Sequence, residues 1–285
     1  MNAQSRASRR IAILGILLPL LLRYPVASFG QEQTIRFTQL PREIIEARLR
    51  RVARNNDERE ANLREMFMSA GCDGESLSEQ PIKGIKQKNL ICTLQGSTPS
   101  VIIIGAHVDH EESYGMGVVD NWSGASLLPS LFESLKTHAL KHTLRFIGFA
   151  EEERGLVGSA FYAKQLTPEE VGNVRLMINL DSLGLGGTKV WRTHSDDRMT
   201  AILVDVANAL HLPLEIVNAD LCCDEDSTPF RKRHVSTLML HSLTSQTFAI
   251  LHSAKDNISQ IRLNDYYDSY RLIDAYTAQM DRLLD

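Results

Sequence analysis

SVIIIGAHVDHEESYGMGVVDNWSG, residues 100–124, is the stretch whose reading decides the fold. Residues 101–104 are an unbroken apolar, β-branched run. Such a run between turn residues reads as a strand buried on both faces, as in a parallel sheet. His107 and Asp109 stand at its C-terminal end. A glycine-bearing loop then leads to Asp120, Asn121, Ser123 and Gly124 at the head of an expected helix. In open α/β sheets, ligands bind beyond the carboxyl ends of the strands. His107, Asp109 and Asp120 therefore fall where such a fold places its chemistry. An imidazole and two carboxylates on one short loop suit a divalent metal, and zinc accepts both donor types. In His-x-Asp the two side chains point the same way from an extended segment. One can bind a metal while the other fixes the imidazole tautomer. The competing reading is an acidic surface loop, and motifs further along decide between them.

Upstream, residues 41–70 read as one helix, with Pro41 in its first turn and apolar residues three and four apart. Its basic run, Arg48, Arg50, Arg51 and Arg54, reads as a solvated face. Residues 89–94 and 101–105 read as strands joined by a turn at 96–99, an antiparallel hairpin at one side of the sheet. Downstream, helices are expected at 121–138, 155–166, 196–210 and 263–284, and strands at 143–149, 175–180, 189–192, 214–217 and 236–240. Strands alternating with helices from Val101 onward predict an α/β fold. It is a single-domain three-layer α/β/α sandwich on a mixed, mostly parallel sheet.

The chain has 285 residues, 43% hydrophobic and 23% charged, enough for one large α/β core. Its first 30 residues differ from the rest. Arg6, Arg9 and Arg10 precede an apolar run at 11–22, and small residues follow at Ala27, Ser28 and Gly30. This layout predicts a signal peptide over residues 1–30, cleaved after Ser28 or Gly30, and a single domain over 31–285. The protein is then exported, periplasmic or secreted. The apolar run is short for a membrane span, so no stable membrane insertion is expected after cleavage; an uncleaved anchor is the alternative. The leader holds four arginines and no acid, which leaves 27 basic against 35 acidic residues, a formal net of −8. That balance excludes nucleic acid as an expected partner.

Four cysteines, Cys72, Cys92, Cys222 and Cys223, permit disulfides in an exported protein. Cys92 lies in an apolar run and reads equally well as a buried thiol. Cys222 and Cys223 are neighbours, and a bridge between neighbours needs unusual geometry. The spacing does not support zinc held by all four thiolates.

Three further motifs follow strands or close the chain. Glu151, Glu152 and Glu153 come directly after the strand at 143–149. Adjacent acids raise one another's pKa unless a cation compensates, although a solvated helix start also welcomes acid. Asn179-Leu180-Asp181 is again a strand ending in an acid, and His252 opens the run His252-Ser253-Ala254-Lys255-Asp256. Each motif is weak alone. Together they put acids and imidazoles on loops after separate parallel strands, where one crevice can collect them.

The set resembles the zinc aminopeptidases of the bacterial leucyl aminopeptidase and aminopeptidase Y family, which carry two co-catalytic zinc ions. The family pattern of His-x-Asp, Asp-Asn-x-Ser-Gly, Glu-Glu-x-Gly-Leu-x-Gly-Ser, Asn-x-Asp and His-Thr-x-x-Asp is matched at 107–109, 120–124, 152–159, 179–181 and 252–256. Ser253 replaces the threonine. A further motif, Ser-Asp-His-x-Pro-Phe, is degraded here, with Glu225 for serine and Ser227 for histidine. The resemblance spans residues 85–262 and implies the zinc exopeptidase fold with residues 31–285 as a peptidase domain. It implies two zinc ions per chain, one on His107 and Asp181, the other on Glu153 and His252, with Asp120 bridging. Asp109 would orient His107, and Glu152 would be the general base acting on a metal-bound hydroxide. Residues 155–159 set the frame, so Arg154 follows the working pair Glu152–Glu153 and Glu151 is left without a job. The implied partner is a peptide with a free N-terminus. Glutaminyl cyclases, with a single zinc, and metallocarboxypeptidases use the same fold and stand as alternatives.

Overall fold

The computed structural model describes residues 38–218 and 224–285. In chain order its elements are α1 (Arg42–Leu49), α2 (Asn56–Ser69), β1 (Leu77–Pro81), β2 (Lys88–Leu94), β3 (Val101–His107), α3 (Ser123–Ala125), α4 (Leu128–Leu135), β4 (Thr143–Phe149), α5 (Val157–Gln165), α6 (Pro168–Asn173), β5 (Val174–Leu180), β6 (Thr188–Trp191), α7 (Asp197–Leu210), β7 (Leu214–Val217), α8 (Thr228–Arg231), β8 (Thr237–His241) and α9 (Leu263–Leu283). Among the described residues the strands form one sheet in the order β1-β2-β4-β3-β5-β8-β6-β7. The β4-β3-β5-β8 centre is parallel throughout, as is β6-β7, while β1-β2, β2-β4 and β8-β6 are antiparallel.

Strand β3 is buried at every position because it faces two cores. Ile102 and Ile104 join a large cluster with side chains of α1, α2, α4, α7 and α9. Val101 and Ile103 join a smaller one with Tyr162 and Ala163 of α5 and Phe230 of α8. Side chains alternate across a strand, so an apolar residue at each position is what two covered faces demand. This is the three-layer α/β/α sandwich expected from the sequence. No helix among the described residues is long and apolar enough to cross a membrane. The expected leader at 1–30 and Cys222 and Cys223 lie outside the described residues.

Several local expectations are corrected. The helix at 41–70 is two helices, because Asn55 caps α2 by accepting from Asp57 N and Glu58 N at 2.9 and 3.2 Å. The hairpin of 89–94 with 101–105 does not form. β2 lies between β1 and β4, antiparallel to both, and Ser97 N and Thr98 N donate to Leu140 O and Lys141 O instead. The helix at 121–138 is broken: residues 118–122 make a wide irregular turn with a cis Asp120–Asn121 peptide, the short α3 covers Ser123–Ala125, and a longer helix begins only at Leu128. Arg48 is not on a solvated face. It donates to Ser130 Oγ at 2.9 Å and is paired with Glu133. Cys92 is not a thiol but is bonded to Cys72, joining β2 to the end of α2.

Candidate metal centre

All seven residues singled out from the sequence converge at the carboxyl ends of the parallel strands. His107 closes β3, Asp109 and Asp120 follow it, Glu152 and Glu153 follow β4, Asp181 follows β5, and His252 lies between β8 and α9. Two donor groups result: His107, Asp120 and Asp181, and Asp120, Glu153 and His252. Asp120 belongs to both. Its Oδ1 is 3.2 Å from His107 Nε2, and its Oδ2 is 3.2 Å from His252 Nε2. Asp181 Oδ2 is 3.8 Å from His107 Nε2, and Glu153 Oε2 is 2.9 Å from His252 Nε2. Glu152 lines the same pocket as these donors.

The turn that presents Asp120 is fixed from several sides. Asn121 Nδ2 donates to Leu180 O at 2.8 Å, while its Oδ1 accepts from Gly124 N and Ser182 N. Ser123 Oγ donates to Val119 O and accepts from Leu183 N. These bonds tie the turn after β3 to the end of β5, so Asp120 and Asp181 hold a set separation. Gly124 is required here, since a Cβ would come within 2.4 Å of Leu180 O. Asp256 accepts from Val119 N at 2.7 Å and Asp120 N at 3.0 Å, which gives the acid of the last motif its purpose. Backbone strain gathers at the same place. Glu151, Leu156, Ser182 and His252 all have left-handed φ, between 51° and 60°, a conformation costly for residues with a side chain and common around functional sites.

Asp109 does more than was expected of it. Its carboxylate accepts from Glu152 N at 3.0 Å and Glu153 N at 3.1 Å, so it positions the glutamate pair. Its Oδ1 also lies 3.6 Å from His107 Nδ1, and its main-chain O lies 3.1 Å from the same nitrogen. Glu151 turns away from the centre and pairs with Arg154 at 3.1 Å. Arg59, fully buried on α2, was not anticipated. Its Nε donates to Val108 O at 2.5 Å, and its Nη1 and Nη2 donate to Met116 O and Gly117 O, each at 3.0 Å. Its guanidinium stacks on Trp122, 5.3 Å from the ring centre. In sequence it is one arginine of a charged helix (Arg59 in NDEREANLREMFMS), and only its place on the same helix face as Leu63 and Met66 hints at burial.

Electrostatics follow from crowding. Burial pushes Glu152 up to about 10, with Asp226, Asp181 and Asp120 adding repulsion. Burial likewise raises Glu153 and Asp181. Asp120 moves the other way: burial opposes its charge, but His107 and His252 outweigh it and hold the carboxyl well below the usual range. Hydrogen bonds to Asp120 and Glu153 lift His252 to about 11. Burial works against charge on His107, yet Glu152, Asp109, Asp120 and Asp181 together raise it well above normal. Asp226 is fully buried, and burial pushes it up to about 7, with His107 and the Ser159 hydroxyl opposing. A divalent cation bound among these groups would favour their deprotonated forms. Two imidazoles and three carboxylates are donors that zinc accepts.

The degraded motif at 225–230 keeps a structural job. Glu225 accepts from Asn179 Nδ2 at 2.9 Å, from Ser227 N and Oγ at 2.7 and 2.6 Å, and lies 3.1 Å from His194 Nδ1. His194 stacks on Trp191 with ring centres 4.0 Å apart. A pocket of about 1090 Å³ opens beside the donors, walled by Trp191, Met239, Leu243 and Phe248 among others.

Comparison with known proteins places this arrangement. The model of peptidase family M28 matches residues 89–277. Aminopeptidase Y of Saccharomyces cerevisiae is 35% identical over 103 residues, 36% of this chain and 19% of that protein. The curated relatives are thus matched over about a fifth of their length. Among solved structures, the zinc aminopeptidase BSAP of Bacillus subtilis superposes with a TM-score of 0.61 at 20% identity, covering 68% of this chain and 50% of that one. A glutaminyl cyclase of Macrostomum lignano superposes with a TM-score of 0.68 at 16% identity, covering 85% and 90%. Both likenesses are of fold. With the family model matched from residue 89 to residue 277 of 285, and with its donors gathered at the strand ends, the chain belongs to peptidase family M28.

Proposed function

We propose that the chain is a zinc aminopeptidase that removes residues from the free N-terminus of peptides, with two zinc ions per chain. The observation that carries this reading is Asp120, buried and set with one carboxylate oxygen toward each of two histidines. His107 and Asp181 would hold one zinc, Glu153 and His252 the other, and Asp120 would join both. Bound there, zinc supplies a Lewis acid that polarises the scissile carbonyl and acidifies water. Glu152 is the general base: it takes the proton of the attacking water and returns it to the leaving amine. Burial chiefly raises its pKa, and the charges of Asp226, Asp181 and Asp120 add to it. Positive charge among those acids lowers it toward a working value. Asp109 keeps Glu152 and Glu153 in register through their amides. We propose also that residues 1–30 direct export and are removed, leaving the peptidase domain 31–285 in the periplasm or outside the cell.

A second reading is a single-zinc glutaminyl cyclase, favoured by the near-complete mutual coverage with the Macrostomum enzyme. Metal analysis of purified protein with aminoacyl-anilides separates the two. The aminopeptidase reading expects two zinc ions, release of anilide only from substrates with a free amine, and loss of both ions in Asp120→Asn. One zinc together with ring closure of glutaminyl peptides establishes the cyclase. Cleavage of N-acetylated substrates at equal rate defeats both, and release of residues from the carboxyl end makes the protein a carboxypeptidase.

A further inference from the structure

The pocket beside the donors has one lysine or arginine among the described residues in its wall, Lys189. The residue is 6% exposed. Strand register sets it in a row: Lys189 of β6 pairs with Glu215 of β7 on one side and His241 of β8 on the other. Asp181 N donates to Leu240 O, so the end of β8 is level with the end of β5. Two strand spacings then put the Lys189 backbone about 10 Å from Asp181.

A buried ammonium needs a counter-charge. Lys189 has one in Glu215, but that side chain is 66% exposed on the edge strand. An ion pair with an exposed partner is worth little, so a ligand carboxylate reaching Lys189 can displace Glu215 into solvent. Two further donors line the pocket beside it. His241 accepts from Leu243 N at Nδ1 (3.1 Å), which makes its Nε2 the N–H donor, and that nitrogen has no partner. Burial, then the charge of Lys189, push His241 down to about 4, so the ring is neutral near pH 7. Trp191 lies two residues along β6 from Lys189, on the same face, and its indole N–H is also unpartnered. Its ring centre is 6.2 Å from that of His241. These donors share the pocket wall with the apolar Met239, Leu243 and Phe248 and with the acids Glu215, Asp224 and Glu225.

We propose that Lys189, flanked by His241 and Trp191, is a carboxylate subsite, so that the preferred substrates carry a negative charge near their free amine. The inference rests on the aminopeptidase reading and names its substrate class. The carboxylate has two sources: the side chain of an N-terminal glutamate or aspartate, or the C-terminus of a di- or tripeptide. The test is kcat/KM of the zinc-loaded full chain on glutamyl- against glutaminyl-anilide, and on Ala-Ala against Ala-Ala-amide, in wild type, Lys189→Met and Glu215→Gln. Affinities for free L-glutamate and L-glutamine by calorimetry accompany it, so that binding is read even without turnover. A hydrogen bond to a charged group is worth roughly 10- to 100-fold. One acid-to-neutral ratio should fall by that factor in Lys189→Met and rise in Glu215→Gln. A fall in the glutamyl ratio assigns the side chain, and a fall in the dipeptide ratio assigns the C-terminus. Ratios that stay level in Lys189→Met overturn the subsite, as does a preference for lysyl-anilide that Glu215→Gln abolishes. If no free-amine substrate is cleaved, the aminopeptidase reading fails instead, and equal affinity of wild type and Lys189→Met for L-glutamate then rejects the subsite on its own.

Discussion

Replacing Arg59 by methionine strips three donors from three main-chain carbonyls while keeping most of the apolar stem. The acceptors are Val108 O, Met116 O and Gly117 O, which bracket the loop from His107 to Asp120. A buried acceptor left without its donor loses about 1–3 kcal/mol, so the three together lose about 3–9 kcal/mol. The contact with Trp122 adds about 1–2 kcal/mol for a desolvated cation over an indole. Against this, the guanidinium no longer has to be buried, which returns several kcal/mol. Burial already lowers its pKa to about 10 despite Asp109, Asp256, Asp120 and Glu153 nearby. The net expectation is a loss of about 3–5 kcal/mol, typical of a broken buried charge network. Zinc affinity should fall about 10- to 100-fold, because the loop that aims Asp120 loses its support. Urea unfolding with and without zinc gives the first quantity, and competition against a chelator gives the second. Arg59→Lys, which keeps the charge but not the fork of donors, should fall between. A loss under about 1 kcal/mol with unchanged zinc affinity would show that the loop stands on its own contacts and that this reasoning is wrong.

Glu152→Gln should lower turnover about 10²- to 10⁴-fold with both zinc ions retained, whereas Glu151→Gln, at a residue turned toward Arg154, should change it only a few-fold; the reverse result would move the glutamate frame by one residue. Asp274, buried beside Ser134, is pushed up to about 7 by burial. The folded protein therefore holds its proton where the unfolded chain has lost it, and stability should decline between about pH 4 and pH 7. Asp274→Asn removes that slope, a difference of up to about 4 kcal/mol above pH 7, and identical urea profiles from pH 4 to 8 would refute it. Changing Cys72 and Cys92 together to serine opens a loop closed across 20 residues and should destabilise by about 3 kcal/mol; an unchanged denaturation midpoint would assign the bridge no stabilising role.

Much of the centre was legible because His107, Glu153 and Asp181 stand at or just after the ends of strands whose apolar runs are visible by themselves, whereas His252 lies on the connection between β8 and α9. Residues 101–104, 143–149 and 175–180 announce buried parallel strands, and the acids and imidazoles that follow fall at their carboxyl ends. What stayed hidden depended on contacts distant in sequence. Residues 89–94 and 101–105 read as a hairpin because they are neighbours in the chain, but β4 enters between β3 and β2. The helix expected at 121–138 breaks because Asn121 and Ser123 spend their side chains on Leu180, Ser182 and Leu183, and local propensity carries no trace of those partners. Arg59 was not singled out because the carbonyls of Val108, Met116 and Gly117 that it holds lie about fifty residues away in the chain. Lys189 looked like one residue of a short strand, and only the register beside His241 and Glu215 shows what it faces.

The Cys72–Cys92 bridge crosses the start of the segment that the family model matches. That match begins at residue 89, yet α2 on the far side of that line is stapled to β2 and carries the arginine beneath the first donor loop. The matched segment and the portable unit therefore differ in extent. A fragment cut at residue 89, grafted elsewhere or shuffled with a relative, would bring every zinc donor along and leave behind the floor they stand on. It would also expose Cys92 as a lone thiol and uncover the face of the sheet that Leu63, Met66 and Phe67 now shield. Chimeras with other members should therefore take their crossover before Arg42, so that the donor face travels with the helices beneath it.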